Sequence, residues 1–381
     1  MKVDWLIVGA GCTGCALAER IATQLGKSVL VVDRRDHIAG NSYDCYDEHG
    51  ILVHQYGPHI FRTNDPRLWA YLSRFTEWRL YYHRVLAVVD GVKVPVPFNL
   101  NSLRALYPPK QAEKLEQLLI ENYGFGSKVP ILKLRESAPA ELKALAEYIY
   151  EKVFQFYTVK QWGFTPEELS PTVTAGVPIY VSRDDRYFQE IYQGVPKLGF
   201  TEMMRRMLRH PKIRVLLNTD YRDIREEVKF DRMVCTGPID EFFDYVHGPL
   251  PYRSIRFEYS FAPVEQFQEA AVVNYPNEYD FTRITEFKHL TGQTCIGSTV
   301  AREYSELHKV GTNDPYYPIP RDENAALYAK YEKETAKLKG TVLFAGRLGD
   351  YKYYSMHQAF ARALSLFSKT IATSKFQAAH A

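Results

Sequence analysis

Neither sign of charge dominates this chain: 48 Lys and Arg stand against 45 Asp and Glu, a formal +3 over 381 residues. No field able to gather a polyanion follows from that balance, so nucleic acid is not expected as a partner. Cysteine is scarce. Cys12, Cys15, Cys45, Cys235 and Cys295 are odd in number and scattered, which excludes a dense disulfide framework. Cys12 and Cys15 form a C-x-x-C, but they sit inside a glycine turn, where small tolerated residues are a simpler reading than a redox or zinc pair. No metal is expected. No run of 18 apolar residues occurs, so no membrane insertion is expected. Met1-Lys2-Val3-Asp4 enters an apolar strand at once, leaving no room for a signal peptide, and a cytoplasmic protein is the expectation. Low-complexity segments and solenoid repeats are absent too.

Aromatic residues, by contrast, are abundant: 28 Tyr and 21 Phe contribute to a 14% share. Tyrosine joins a flat apolar face to a polar tip, which suits stacking on planar rings and sugars, though most will be ordinary core and surface residues.

The strongest local pattern lies in the first 41 residues. Asp4-Trp5-Leu6-Ile7-Val8 runs into Gly9-Ala10-Gly11-Cys12-Thr13-Gly14, followed by helix formers from Ala16 to Ala22. Ser28-Val29-Leu30-Val31-Val32 then ends at Asp33. This is strand, glycine turn, helix, strand and acid, the context that an adenine-dinucleotide fingerprint requires. Gly9 permits the tight turn, Gly11 lets the backbone approach a pyrophosphate, and Gly14 lets helix and strand pack. The helix N-terminus offers unpaired N–H groups to the phosphates. Asp33 is placed to accept hydrogen bonds from a ribose. The competing reading is a glycine turn without ligand in an α/β domain.

With 381 residues the chain can form two or three domains. Residues 79–98 read as a hairpin turning at Asp90-Gly91. From Ser102 to about Tyr157 the pattern is helical, with one helix expected over Ala140–Phe156. Residues 167–188 read as loop. A strand is expected over 211–218, a further nucleotide-domain strand and loop over Arg232–Pro238, and antiparallel strands over 252–305. Finally, Thr341–Arg347 reads as a buried strand entering a glycine turn, and Met356–Ser368 as a helix. A nucleotide domain closed by a strand from the far C-terminal region is typical of two-domain flavoproteins rather than of simple dehydrogenases.

Beyond Asp33 the residues resemble the flavin-dependent UDP-galactopyranose mutases. The matching segments are His37–Asp44, Tyr56-Gly57-Pro58-His59-Ile60-Phe61, Tyr157-Thr158-Val159-Lys160-Gln161-Trp162, Asp185–Phe188, Asn274-Tyr275, Tyr279–Glu286, Arg302–Ser305, Pro315-Tyr316-Tyr317-Pro318 and Gly346–Gly349. They span nearly the whole chain in order. The resemblance implies an α/β fold with a discontinuous Rossmann-like FAD domain, 1–76 with 196–248 and 322–381. It also implies a helical domain, 99–160, and an antiparallel sheet domain bordering the substrate cleft, 77–98 with 161–195 and 249–321. Non-covalent FAD, a nucleotide-sugar substrate and a homodimer are implied as well. So is a redox-neutral isomerisation of UDP-galactopyranose and UDP-galactofuranose, in which reduced flavin N5 attacks the anomeric carbon and the sugar recloses from an N5 adduct.

Site residues are implied by the same resemblance. Trp162 and Tyr157 fall in the uridine-stacking segment, with Phe154 and Asn274 lining the uracil pocket. Arg283, Tyr187, Tyr317 and Tyr353 match phosphate-binding residues, and His83 a polar residue near the sugar. His59 matches the flavin side and Arg347 an FAD contact. Catalytic roles are expected of His59, Arg283, Arg347, Tyr353 and Arg62. Cofactor contacts are expected of Gly9, Gly11, Cys12, Thr13, Gly14, Asp33, Arg34, Gly40, Asn41, Ser42, Tyr56, Gly57, Pro58, His59, Thr219, Thr236, Gly237, Gly346, Arg347 and Met356.

Three positions depart from the family pattern. Gly176 stands where a mobile-loop arginine closes over the diphosphate, Arg62 where a histidine lies near the flavin, and Ser355 where an aspartate stands. A missing charge-assisted phosphate contact costs about 2–3 kcal/mol. Arg183 or Arg62 could supply the charge, the substrate could be another nucleotide sugar with a deoxy or amino sugar or another base, or the chain could be an impaired variant. Other classes are a flavin oxidoreductase of the amine-oxidase or desaturase type and a non-catalytic nucleotide-sugar binder.

Overall fold

The computed structural model describes residues 1–136, 139–170, 178–338 and 340–373. They form two compact units, Met1–Leu80 with Glu190–Arg253 and His308–Ala381, and Tyr81–Gln189 with Ser254–Leu307. The helical segment and the sheet strands, read from sequence as separate domains, both fall in the second unit. No described helix is long and apolar enough to cross a membrane.

The first unit is built on a five-stranded parallel sheet in the order Ile213–Leu216, Val29–Val32, Lys2–Val8, Lys229–Cys235, Val342–Phe344. Val29–Val32 is buried at every position, as a strand covered on both faces must be. The helices Cys12–Gln24, Phe200–Leu208 and Met356–Leu366 contribute Ile21, Met203 and Phe360 to one apolar core. The late strand Val342–Phe344 closes the sheet edge, as expected.

A second sheet in this unit corrects the hairpin boundary. Trp78–Leu80 pairs with Gly194–Pro196, not with the residues before Phe98. The hairpin itself is Val85–Val89 with Val92–Val96, in the second unit. Asp90 and Gly91 both have positive φ, 47° and 81°, so a two-residue turn sets the register and Val85 faces Val96. Pro97 follows with no N–H to extend the ladder.

In the second unit the strands run in the order Tyr252–Ala262, Ser298–Leu307, Arg283–Glu286, Val272–Asn274, Val85–Val89, Val92–Val96. One junction departs from the expected antiparallel pattern: Val272–Asn274 runs parallel to Val85–Ala87. Phe287–Thr291 interrupts the strands as a short helix. The helical segment comprises Leu100–Leu106, Pro109–Tyr123, Ile131–Arg135 and Ala140–Ile149. The last continues through a π-helical turn, Tyr150–Gln155, into Phe156–Trp162, past the expected end at Phe156. Such turns insert a residue into the helical register and recur at functional sites. The expected loop over 167–188 holds a short strand, Ile179–Tyr180, paired with Lys128–Val129. Residues 171–177, Gly176 among them, lie outside the described residues.

Candidate active site

Each unit carries one cluster of the expected residues. In the first, a cavity opens along the glycine turn, lined by Gly9, Gly11, Cys12, Thr13, Asp33, Arg34, Gly40, Asn41, Ser42, His59, Thr219, Thr236, Gly237, Gly346, Arg347 and Met356. All of these were expected as cofactor contacts. Gly14, Tyr56, Gly57 and Pro58 do not line it. Gly14 instead serves packing: a Cβ there would stand 1.9 Å from the Gly9 carbonyl oxygen. Tyr56 bonds His37 Nε2 through its hydroxyl at 2.9 Å and lies under the Arg35 guanidinium, 4.6 Å from its ring centre.

The residues fit a dinucleotide. Gly11 is the N-cap of Cys12–Gln24 with no capping side chain and no acid in the first turn, so the first N–H groups and the positive dipole end are available to an anion. A Cβ at Gly11 would meet nothing nearer than Gly40 Cα at 3.8 Å, leaving space beside the turn for a pyrophosphate. Asp33 already braces the turn, since its Oδ2 accepts from Ala10 N at 2.8 Å and its Oδ1 from Arg35 N at 3.0 Å. Each carboxylate oxygen keeps a further lone pair for a ribose hydroxyl. Cys12 and Cys15 are not poised as thiolates, because burial pushes both thiols up, Cys15 strongly.

His59 is held from both sides. Its Nδ1 lies 2.8 Å from the Gly57 carbonyl, which places the ring proton on Nδ1. Its backbone N–H donates to His54 Nδ1 at 3.0 Å. His54 is buried, and burial alone lowers its pKa to about 4, so the ring is neutral with its proton on Nε2. That Nε2 stands 4.0 Å from Asp44 Oδ2. Asp44 in turn accepts from Phe200 N at 2.6 Å and Thr201 N at 2.9 Å, at the start of Phe200–Leu208.

Arg347 donates to the Tyr354 carbonyl at 2.8 Å and the Tyr316 carbonyl at 3.4 Å, and stands over the Tyr317 ring at 5.1 Å. Among the described residues these partners are neutral, so its charge remains uncancelled beside the cavity. Tyr317 and Tyr353 pack edge to face at 5.1 Å, Tyr317 buried and Tyr353 half exposed. Neither lines the cavity itself.

The second unit gathers residues that the sequence resemblance assigns to the nucleotide side. Register sets Asn274 opposite Arg283, and Arg283 opposite Glu303, so three side chains form a row on one sheet face. Arg283 Nε is 2.8 Å from Glu303 Oε1, yet its N–H is not aligned on the carboxylate, which makes the contact an ion pair rather than a directed hydrogen bond. Asn274 Oδ1 is buried with no hydrogen-bond partner among the described residues. His83, also buried, accepts from Tyr187 N through its carbonyl at 2.7 Å, and their rings meet edge to face at 5.8 Å. Phe154 and Trp162 are buried and Tyr157 is partly so.

Two departures acquire structural roles. Arg62 does not line the cavity; its Nη1 bonds Glu190. Glu190 lies beside the strand that pairs with Phe61–Thr63, a neighbour no local pattern announces. Ser355 caps Met356–Leu366: its N–H donates to Gln358 Oε1 at 2.9 Å and its hydroxyl lies 3.0 Å from His357 Nδ1. A serine followed three residues later by glutamine is a capping box, visible in the sequence though not read there. The sequence reading also missed Arg35, Tyr221, Phe242 and Tyr316 in the cavity wall. Tyr316 was within reach, since Pro-Tyr-Tyr-Pro pointed to its neighbour Tyr317.

Residues 152–353 match the family model of UDP-galactopyranose mutase, and residues 7–75 that of an NAD(P)-binding Rossmann-like domain. The chain is 37% identical over 363 residues to a probable UDP-galactopyranose mutase of Klebsiella pneumoniae, covering 94% of this chain and 92% of that one. It is 32% identical over 368 residues to a dTDP-fucopyranose mutase of Escherichia coli, covering 94% and 96%. A crystal structure of reduced UDP-galactopyranose mutase shares the fold, with a TM-score of 0.75 at 17% identity over 98% of this chain and 95% of that one.

Proposed function

Because this chain belongs to the UDP-galactopyranose mutase family, and so to the isomerases, we propose that it interconverts UDP-galactopyranose and UDP-galactofuranose with reduced FAD as its cofactor. The observation that carries the reading is the orphaned Asn274 Oδ1 beside Arg283. A buried acceptor left unmade costs about 1–3 kcal/mol, so the site is poised for a donor. Uracil N3–H is such a donor, and the adjacent guanidinium suits a diphosphate.

When bound, reduced FAD supplies an electron-rich nucleophile for the anomeric carbon. The glycine turn and the start of Cys12–Gln24 would hold its pyrophosphate, and Asp33 its ribose. Arg347 would set a positive charge beside the cofactor, favouring a reduced, anionic ring. His59, oriented by the Gly57 carbonyl and by His54, would present its ring to the cofactor in a fixed orientation. Arg283, with Tyr187 as a hydroxyl donor in the same unit, would bind the diphosphate and stabilise charge as it leaves the sugar. Trp162 and Tyr157 would stack on the base, with Phe154 beside them.

A second reading keeps the mechanism and changes the sugar nucleotide. Thymine has the same N3–H as uracil, so Asn274 does not separate the two bases, and a dTDP-fucopyranose mutase stands among the relatives. The test is incubation of dithionite-reduced holoprotein with UDP-galactose and, separately, dTDP-fucose, with chromatography of the furanose products. Furanose from UDP-galactose supports the first reading; furanose from dTDP-fucose alone replaces it with the second. Stoichiometric oxidation of the flavin by substrate would mark an oxidoreductase instead. A homodimer belongs to the same proposal, resting on the family alone, and light scattering checks it.

A further inference from the structure

Phe156–Trp162 carries both stacking aromatics, and three side chains from the sheet region or the helix itself tie its course down. Lys160 Nζ donates to the Tyr275 carbonyl at 2.8 Å, one residue beyond Asn274. Ser305 Oγ donates to the Gln161 carbonyl at 2.6 Å, one residue before Trp162. Asn277 Nδ2 donates to the Lys152 carbonyl at 3.0 Å, inside the π-helical turn that precedes the helix. The Gln161 carbonyl lies in the last turn, where carbonyls lack intrahelical partners, and Gly163 ends the helix in the left-handed region at φ 77°.

Lys160 is the unusual member of this set. Its ammonium is partly buried, and that burial lowers its pKa against the opposing pull of Glu278 and Asp280. What the bond achieves is geometric. It joins the aromatic helix to the strand end that bears Asn274, so the stacking surface and the base-edge acceptor share one frame. Stacking rings and an edge hydrogen bond act on one planar base only if their spacing is held to about 0.5 Å.

We propose that Lys160 is a positioning residue for the nucleotide base, setting the aromatic helix against Asn274 rather than touching phosphate. The inference rests on reading Asn274, Tyr157 and Trp162 as the base site. A lysine acting on phosphate would favour UDP over UMP, whereas a lysine acting through the platform affects both alike.

The test is titration of the holoprotein with UDP and with UMP by calorimetry, for wild type, Lys160→Met, Lys160→Arg and Ser305→Ala, with melting temperatures alongside. Lys160→Met is expected to weaken UDP and UMP equally, by about tenfold, the scale of losing one well-placed base stack. In turnover KM rises while kcat at saturation holds. Lys160→Arg, which keeps a cationic donor, restores most of the affinity. Ser305→Ala weakens both nucleotides in the same sense, and carries the test if Lys160→Met does not fold. Equal binding by Lys160→Met and wild type overturns the proposal, as does a loss confined to UDP. A wild type that binds neither nucleotide overturns the reading of the base site itself.

Discussion

Arg283 and Glu303 face each other across adjacent antiparallel strands, with Arg283 Nε 2.8 Å from Glu303 Oε1. The carboxylate is buried, whereas the guanidinium keeps 24% side-chain exposure. The pair therefore has an inner and an outer member. Glu303 holds the charge in place, and Arg283 is the more exposed of the two.

Removing Arg283 strands Glu303 as an uncompensated buried carboxylate. Arg283→Met is expected to destabilise the protein by about 3 kcal/mol. Arg283→Met with Glu303→Gln should recover part of that stability and none of the nucleotide affinity. Urea unfolding and UDP titration of the three proteins check this. Equal stability of single and double variants would mean the ion pair does not govern the site.

The glycines of the turn should separate into a packing position and a ligand position. Gly14→Ala puts a Cβ 1.9 Å from the Gly9 carbonyl oxygen, forcing helix and strand apart, so a sharp fall in melting temperature is expected. Gly11→Ala has 3.8 Å to its nearest neighbour and φ of −80°, so the apoprotein should melt as wild type while flavin occupancy drops. Flavin absorbance per mole of protein, measured with the melting curves, tells them apart.

Acid should weaken the fold through His54. Its folded pKa is lowered to about 4 by burial, against an ordinary 6.5. Between those values the unfolded chain binds a proton that the native ring refuses, so stability is full above 6.5 and falls as pH drops toward 4. The loss reaches about 3 kcal/mol at the lower end. Asp44, its pKa raised by burial, works in the opposite sense as pH falls. His54→Asn keeps an acceptor for His59 N–H and removes the titrating ring. Its stability should depend less on pH over that range; an unchanged slope would exclude His54 as the source.

Arg62 and His357 form a further readable pair. Burial first, and the Arg62 charge second, lower the His357 pKa. Arg62→Gln removes the cation and leaves the Glu190 charge facing the ring, so the His357 pKa should rise. Titration by NMR of the imidazole resonance measures it. No movement would show that the Arg62–Glu190 pair is electrically silent there, and a fall would contradict the sign assigned to Arg62.

Local chemistry decided much of this protein from its sequence. The strand, glycine turn, helix and strand at residues 2–32 follow from apolar runs and three glycines whose steric roles are set within one turn. Asp90-Gly91 specified a hairpin because two positive φ angles fit few other residues. The late strand at Val342–Phe344 was legible as an apolar run of the right length. Most of the residues expected as cofactor contacts line one cavity because they lie along the same turns and strands.

What the sequence could not decide were pairings made across long separations. Trp78–Leu80 sits with Tyr192–Pro196, and Arg62 with Glu190, because strands at either end of a large insertion meet in one sheet. Asn274, Arg283 and Glu303 became a row only through the register of three strands, and the unsatisfied Asn274 Oδ1 exists only once that row is buried. Periodicity reports which residues turn inward; it carries no record of what they will meet there. Hydrogen-bond satisfaction and ion pairing depend on neighbours brought by packing, so the chemistry of this row belongs to the tertiary structure.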